Sequence, residues 1–257
     1  MENNIYILSY PKAGRTWLKL ILMNYFITKY KLILKKEEHI LNTHIIAKMN
    51  KNIPDISFTH DLGDKWISWI GNPNDIKIIL NDWIDKYIVL LIRDPISILV
   101  SSFYHKKYRT TVNDKDNYDG TLEEYVNDEI NFERILMYYK TWSAFLQLRR
   151  DIKGPCIYYE DLSNKECIIS LINKEFGLKI SNRAINKAMN NCTFDKMKYY
   201  EQLNETSVIQ ITDDERSKKF REGKQKGYID QLDTKTIKQL KHKMEFYNFP
   251  PIWSRYL

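Results

Sequence analysis

Short apolar runs alternate along the chain with longer amphipathic stretches. The segment Tyr87–Ile92 is a β-branched apolar run without polar alternation, which is typical of a parallel strand buried on both faces. Ile5–Tyr10, Ile56–His60 and Cys156–Tyr159 predict further strands. Because helical patterns separate these strands, we expect a single α/β domain over residues 1–257, with a central, mostly parallel sheet flanked by helices.

Helical periodicity fills most of the chain between the strands. A helix follows the first strand and runs through Phe26, and Thr121 begins a capping box with Glu124. Ser181 and Thr234 are candidate N-caps. The remaining predicted helices cover Lys36–Met49, Ile96–Lys107, Phe132–Arg150, a segment ending at Phe176, Ser181–Asn191 and Thr234–Phe246.

Composition narrows the class of protein without identifying a ligand. Hydrophobic residues make up 43% of the chain and Gly and Pro number only 8 and 7, so disordered, collagen-like and linker-dominated chains are excluded. Lys and Arg total 40 against 33 Asp and Glu, a net charge of +7. These cations are scattered, with no basic tail. Nucleic acid, an anionic membrane, a small polyanion and a merely solvated surface all stay open on charge alone.

The cysteines and the apolar runs bear on the compartment. Cys156, Cys167 and Cys192 have neither the spacing of a disulfide framework nor that of a zinc site, which suits a reducing environment. The N-terminus lacks the features of a signal peptide, and no apolar run approaches the ~20 residues that cross a bilayer. We expect a soluble, cytoplasmic protein.

The segment after the first strand carries the clearest chemical signal. Residues 12–16 link that strand to a helix, and a glycine at a helix start exposes backbone N–H groups and the positive end of the helix dipole to an anion. Lys12 adds a cation and Thr16 a hydroxyl donor. The chain contains no G-x-x-x-x-G-K-[ST] sequence, which disfavours an ordinary ATP or GTP hydrolase. The alternative is a plain strand-to-helix turn with a solvated lysine.

Segments in four parts of the chain together resemble one known family. Tyr10–Leu18, YPKAGRTWL, closely resembles the 5′-phosphosulfate loop, YPKSGTTW, of sulfotransferases that use 3′-phosphoadenosine 5′-phosphosulfate (PAPS). Ile88–His105 is similar to their 3′-phosphate element, Tyr158–Leu162 to their strand with an adenine-contacting tyrosine, and Phe220–Gly223 to their C-terminal RKGxxGDW element. The matches follow the family's order. The resemblance implies a sulfotransferase with a P-loop-like core that takes PAPS as its co-substrate and needs no metal.

The resemblance also implies a donor site. Arg93, with its planar guanidinium, and Ser101 on the next helix would hold the 3′-phosphate, although Arg93 could instead pair with a carboxylate. Trp17 is either an adenine platform or a core aromatic, and Tyr158 is the core-facing alternative to Tyr159. The residues expected to bind PAPS are Lys12, Ala13, Gly14, Arg15, Thr16, Trp17, Arg93, Ser101, Tyr159, Arg221, Glu222 and Gly223.

His60 and Lys12 are the expected catalytic residues. A neutral imidazole suits removal of an acceptor proton near pH 7, and Phe58-Thr59-His60 resembles the family's K-T-H tripeptide at a strand end. The resemblance gives Lys12 the task of stabilising charge on the leaving phosphate oxygen during in-line transfer. A structural role is the alternative for His60, with Asp61 and Asp64 as substitute bases.

The sequence also departs from the family pattern. Phe58 replaces the lysine of K-T-H, Glu222 stands where a basic residue is usual, and the glycine spacing that follows is one residue longer. The dimerisation motif K-x-x-x-T-V-x-x-x-E is absent, so no oligomeric state is predicted. Glu201–Lys219 is polar and weakly periodic, and we expect a mobile lid over the substrate there.

The expected function is transfer of a sulfuryl group from PAPS to a hydroxyl or amine of a small-molecule or glycan acceptor, with neither nucleic acid nor a membrane as partner. Two alternatives stay open. A nucleotide-dependent phosphotransferase could share the core. A non-catalytic module that binds anions or nucleic acid could keep the fold, and Phe58 and Glu222 are the residues that favour it.

Overall fold

A parallel sheet of four strands organises the part of the chain that the computed structural model describes, residues 4–35, 40–61, 80–109, 117–148, 155–204, 216, 226–247 and 255–257, with backbone alone for 200–204. The strand order is β2-β1-β3-β4 and every pairing is parallel. The strands are β1 (Asn4–Ser9), β2 (Asp55–Thr59), β3 (Tyr87–Ile92) and β4 (Cys156–Tyr158).

The helices lie between β1 and β2, between β3 and β4, and after β4. Within the described residues, none is long and apolar enough to span a bilayer. Short 3-10 turns cover Tyr159–Asp161 and Gly227–Asp230, and a π-helix covers Leu171–Glu175. The α-helices are α1 (Arg15–Tyr30), α2 (Thr43–Met49), α3 (Pro95–Tyr108), α4 (Leu122–Asn127), α5 (Glu129–Leu148), α6 (Lys165–Ser170), α7 (Asn182–Asn191), α8 (Phe194–Asn204) and α9 (Thr234–Phe246).

The core lies on both faces of the sheet, as the pattern of β3 predicts. Every side chain from Ile88 to Ile92 is fully buried. Leu90 and Ile92 pack in a cluster with α3 and α5, whereas Val89 and Leu91 pack in a second cluster with α1 and α7. Since side chains alternate across a strand, one apolar run supplies both clusters. The prediction of a parallel sheet covered on both faces is confirmed.

Several boundaries differ from the sequence predictions. Helix α2 begins at Thr43 rather than near residue 36, because the Asn42 side chain accepts a hydrogen bond from the Ile45 N–H at 3.0 Å and caps the helix there. Tyr159 leaves the predicted strand and begins a 3-10 turn. The predicted lid is only partly described: residues 201–204 belong to α8, residue 216 is also described, and the other residues lie outside the described ranges.

The start of α9 also differs from the prediction. Asp233, not Thr234, is the N-cap: its Oδ1 accepts from the Thr236 N–H at 2.9 Å and its Oδ2 from the Thr236 hydroxyl at 2.6 Å. These hydrogen bonds lower the pKa of Asp233. By contrast, the cap at Ser181 and the capping box at Thr121 and Glu124 stand where the sequence predicts them.

A pair of substitutions tests the reassigned cap. Asp233→Ala removes the acceptor for the first turn of α9 and should lower the urea midpoint of unfolding. Thr234→Ala is the matched control and should leave the midpoint unchanged, because no cap hydrogen bond from Thr234 is present. Equal losses in the two variants, or a loss confined to Thr234→Ala, would return the cap to Thr234.

Candidate active site

The loop between β1 and α1 is a tight turn that only certain residues can form. The Ala13 N–H donates to the Tyr10 carbonyl at 3.1 Å, and Lys12 and Gly14 both have left-handed backbone, with φ of 72° and 94°. A Cβ on Gly14 would lie 2.6 Å from Cε2 of Tyr159 and closer still to its Cδ2. Glycine is therefore required here both by its φ and by the close approach of the tyrosine ring.

Helix α1 presents an uncapped N-terminus to this loop. Gly14 is the N-cap residue, no side chain caps the first turn, and that turn contains no acidic residue. The carbonyl of Gly14 accepts from the N–H groups of Trp17 and Leu18. The helix has 16 residues, so its positive dipole end is directed at the loop without an acidic residue to offset it.

Arg93, directly after β3, connects this loop to the neighbouring strands. Its Nη1 donates to the Lys12 carbonyl at 2.8 Å, and its guanidinium lies 4.3 Å from the centroid of the Tyr159 ring. Its Nε is buried and has no hydrogen-bond partner within the described part of the chain. No carboxylate among the described residues pairs with Arg93, so none of these forms the alternative salt bridge.

The acidic residues beside Arg93 have other partners. Asp94 is buried and its Oδ1 accepts from the Ile96 N–H at 2.9 Å, which caps α3, while burial raises the pKa of its carboxyl. Glu160 accepts from the Asp94 N–H at 3.2 Å and from the Tyr256 hydroxyl at 2.6 Å. Sequence reasoning missed these roles. The Asp-Pro pair that opens α3 is a signal for the cap, whereas the contact of Glu160 with Tyr256 has no local signal.

Tyr158, which ends β4, and Tyr159, which follows it, face different neighbours. Tyr159 touches Gly14, packs edge-on against Trp17 with ring centroids 5.3 Å apart, and lies under Arg93. Tyr158 instead packs against Arg255, 4.4 Å from its ring centroid, near the C-terminus. The structure thus brings Tyr159 to the loop. Trp17 packs partly buried against the second core cluster: its Nε1 donates to the Cys192 carbonyl at 3.1 Å and its ring contacts Tyr159. Its role as an adenine platform stays a prediction.

His60 follows β2 and is held by β1. Its Nδ1 lies 2.7 Å from the carbonyl of the buried Ser9 and 3.4 Å from the Ser9 hydroxyl. A carbonyl only accepts hydrogen bonds, so this contact assigns the proton of the neutral imidazole to Nδ1 and the lone pair to Nε2. A histidine held in this way can accept a proton at Nε2.

The substitute bases are less suitable. The Oδ2 of Asp61 accepts from the Trp83 indole N–H at 3.0 Å, and its carbonyl accepts from the Trp142 indole N–H at 3.3 Å. Both indoles are buried. Asp61 is therefore used to join the end of β2 to the core, and Asp64 lies outside the described residues.

Some of the other predicted site residues lie in the loop or at the start of α1, one lies in α3, and the rest lie outside the described residues. Ala13 is fully buried in the loop, and Arg15 donates to the Phe58 carbonyl at 3.4 Å. Ser101 is half-buried in α3 and forms no hydrogen bond with Arg93. Across the described ranges, no cluster of three or more His, Cys, Asp or Glu side chains could hold a metal ion. The predicted residues outside the description are Arg221, Glu222 and Gly223.

The fold and the loop together define a class: a parallel α/β protein with a tight glycine loop between its first strand and an uncapped helix, and an arginine at the end of a neighbouring strand. Residues 84–247 match the family model of the sulfotransferase domain. This chain belongs to the sulfotransferase family. The match includes Arg93, Ser101 and Tyr159 and begins after the loop of residues 10–14 and His60.

Solved structures share the fold over nearly the whole chain. Mouse sulfotransferase SULT7A1, complexed with PAP, has a TM-score of 0.60 and 17% identity, with 98% of this chain and 87% of that one covered. Retinol dehydratase with androsterone and the inactive cofactor PAP has a TM-score of 0.62 and 17% identity, with 96% and 80% covered. Retinol dehydratase with retinol and PAP has a TM-score of 0.61 and 15% identity, with 96% and 81% covered. This likeness confirms the predicted fold.

A double-mutant cycle tests the close approach of Gly14 to Tyr159. Gly14→Ala should destabilise the protein by more than the roughly 1–2 kcal/mol that a left-handed φ costs an L-residue, because the added methyl collides with the ring. Gly177→Ala is the control: it has a φ of 65° and no neighbour within 4 Å, so it should cost only the backbone term. Adding Tyr159→Ala should recover the excess loss at Gly14, measured by urea unfolding. Strict additivity of the two substitutions would contradict the contact.

Proposed function

We propose that this chain, as one domain, transfers a sulfuryl group from PAPS to a hydroxyl or amine of a small-molecule or glycan acceptor. The observation that carries the proposal is the position of Arg93. Its guanidinium is held between the Lys12 carbonyl and the Tyr159 ring, beside the uncapped start of α1. The site therefore offers two places for anions on either side of an aromatic surface, which matches a nucleotide with a phosphate at each end.

The residues present fit such a ligand. The buried Nε of Arg93 is a donor in need of an acceptor, and a phosphate oxygen would satisfy it. The start of α1 has no side-chain cap and no acidic residue in its first turn, so its backbone N–H groups suit a phosphate. PAP is present in all three structural neighbours. By this proposal the 5′ end is held by Lys12, Ala13, Gly14, Arg15 and Thr16, the adenine by Trp17 and Tyr159, and the 3′-phosphate by Arg93, Ser101, Arg221, Glu222 and Gly223.

PAPS supplies an activated sulfuryl group whose bond to the phosphate oxygen breaks as the acceptor oxygen or nitrogen bonds to sulfur. His60 then takes the acceptor's proton at Nε2, since Nδ1 is committed to the Ser9 carbonyl. Lys12 places its charge where the phosphate oxygen gains negative charge. The Ser9 carbonyl also stabilises the imidazolium that forms, because it continues to accept from Nδ1–H.

The class of acceptor rests on the neighbours. Two structures of retinol dehydratase hold small molecules, androsterone and retinol, each of which carries oxygen on an apolar skeleton. By analogy, a small apolar alcohol or phenol is the first acceptor to try, with amines and glycans as further members of a screening panel.

Two substitutions separate the proposed catalytic steps. His60→Ala should lower kcat by about 10²–10⁴-fold while PAP binding measured by calorimetry stays intact, because the imidazole acts on the acceptor's proton and not on the nucleotide. Lys12→Ala should nearly abolish turnover as well. Turnover is followed as release of PAP from PAPS in the presence of the acceptor panel.

His242→Ala is the matched control, because His242 is an exposed histidine of α9 that lies 3.6 Å from Glu245. It should turn over at the wild-type rate. A near-normal rate in His60→Ala would remove His60 as the base, and failure of the wild-type chain to bind PAP would remove the donor assignment.

A further inference from the structure

Lys19 occupies an unfavourable place for a cation in the free protein. It lies in α1, one turn after Arg15, with its ammonium 5.0 Å from the centroid of the Phe58 ring. No carboxylate in the described part of the chain pairs with it, and the charge that acts on it most strongly, Arg15, has the same sign. Burial and Arg15 lower the pKa of Lys19 to about 8. A half-buried ammonium without a counter-ion costs stability unless an anion is supplied from outside.

An open groove supplies the route for such an anion. Lys19 borders a cavity of about 430 Å³ between α1, the start of α2 and the outer part of β2. Within the described residues, few charged groups line it. His44 of α2 is on its wall and is paired with Asp55 of β2 at 2.7 Å, so that carboxylate already has a partner. The other residues that line the groove are Leu41, Asn42, Thr43, Ser57 and Phe58.

Strand β2 joins the groove to His60, the proposed place of reaction. Phe58 lines the groove and stands two residues before His60, a separation of roughly 7 Å along an extended chain. The Phe58 carbonyl also accepts from Arg15 at 3.4 Å, which ties the groove to the start of α1. A phenol that places its hydroxyl at His60 can therefore reach Lys19 with a substituent at the far side of its ring.

We propose that this groove receives a carboxylate of the acceptor, with Lys19 as the residue that selects anionic acceptors. The inference rests on the proposed function, since it takes His60 as the place of reaction. The Phe58 ring packs against the apolar body of the acceptor, and the ammonium of Lys19 forms a charge-assisted hydrogen bond with the carboxylate. Phe58 replaces the lysine of the K-T-H tripeptide, and the ammonium of Lys19 lies over the ring of Phe58.

A matched pair of acceptors tests the selection. The phenols 4-hydroxybenzoate and 4-hydroxybenzamide have nearly the same shape and differ in charge. Wild-type protein should prefer the carboxylate in kcat/KM, and Lys19→Gln should reduce that preference by about tenfold or more while leaving the amide unaffected. Lys29→Gln is the control on the same helix, because Lys29 donates to the Lys179 carbonyl at the far end of α1. A preference that is unchanged in Lys19→Gln would overturn the proposal.

A second measurement does not depend on turnover. An amine-acylating reagent at pH 8 should modify Lys19 of the wild-type protein, and 4-hydroxybenzoate with PAP should protect it while the amide does not, with Lys29 as the internal reference in peptide mass spectrometry. Protection without turnover of any acceptor would refute the proposed function and keep the groove. Turnover without selective protection would refute the groove and keep the function.

The stability of the variant provides the folding control. Lys19→Gln should melt at a higher temperature than wild type at pH 7, because it removes a charge without a counter-ion. The pKa of Lys19 is 10.5 in the unfolded chain and about 8 in the folded protein, so the stability of the wild type rises as the pH increases between these two values. The stability advantage of Lys19→Gln should therefore shrink over this pH range. A lower melting temperature for Lys19→Gln at pH 7 would mark Lys19 as structural and overturn the proposal.

Discussion

The site depends on the guanidinium of Arg93, which holds three strand ends in one arrangement. Its hydrogen bond to the Lys12 carbonyl fixes the loop after β1, and its stacking on Tyr159 fixes the turn after β4, while Arg93 itself continues β3. Tyr159 in turn sits so close to Gly14 that no side chain fits between them. Because parallel strands end at the same edge of the sheet, one side chain can connect all three. The positions of the loop, the aromatic surface and the cation therefore depend on each other.

Among the described residues, no carboxylate neutralises the charge of Arg93. The nearby carboxylates are held by other donors: Asp94 caps α3, Glu160 accepts from the Tyr256 hydroxyl, and Asp161 forms two hydrogen bonds with Arg255 at 2.7 and 3.0 Å. The last contact raises the pKa of the Arg255 guanidinium. A carboxylate that turned toward Arg93 would lose these hydrogen bonds. The C-terminal residues thus hold the carboxylates that follow β4, although they are distant from them in sequence.

The sequence predicts those features whose cause is local. The unbroken apolar run of β3, the capping box at Thr121 and the glycine of the first loop each follow from residues within a few positions of one another. The pairing of Arg255 with Asp161 and the position of Lys19 over Phe58 join residues 94 and 39 positions apart, and no periodic pattern marks such pairs. Thr234 was a wrong choice of cap because Asp233 is an equally good capping residue one position earlier. All the assignments of residues to PAPS binding and catalysis stay predictions, and residues 221 to 223 also lie outside the described residues.

A crystal structure of this chain with PAP tests the central claim, that Arg93 and the Gly14 loop together hold one nucleotide. The account predicts the 3′-phosphate on the Arg93 guanidinium, with Nε among its donors, the 5′-phosphate at the N-terminus of α1 beside Lys12, and the adenine against Trp17 and Tyr159. PAP bound elsewhere, or bound in the loop with Arg93 still lacking a partner at Nε, would contradict it.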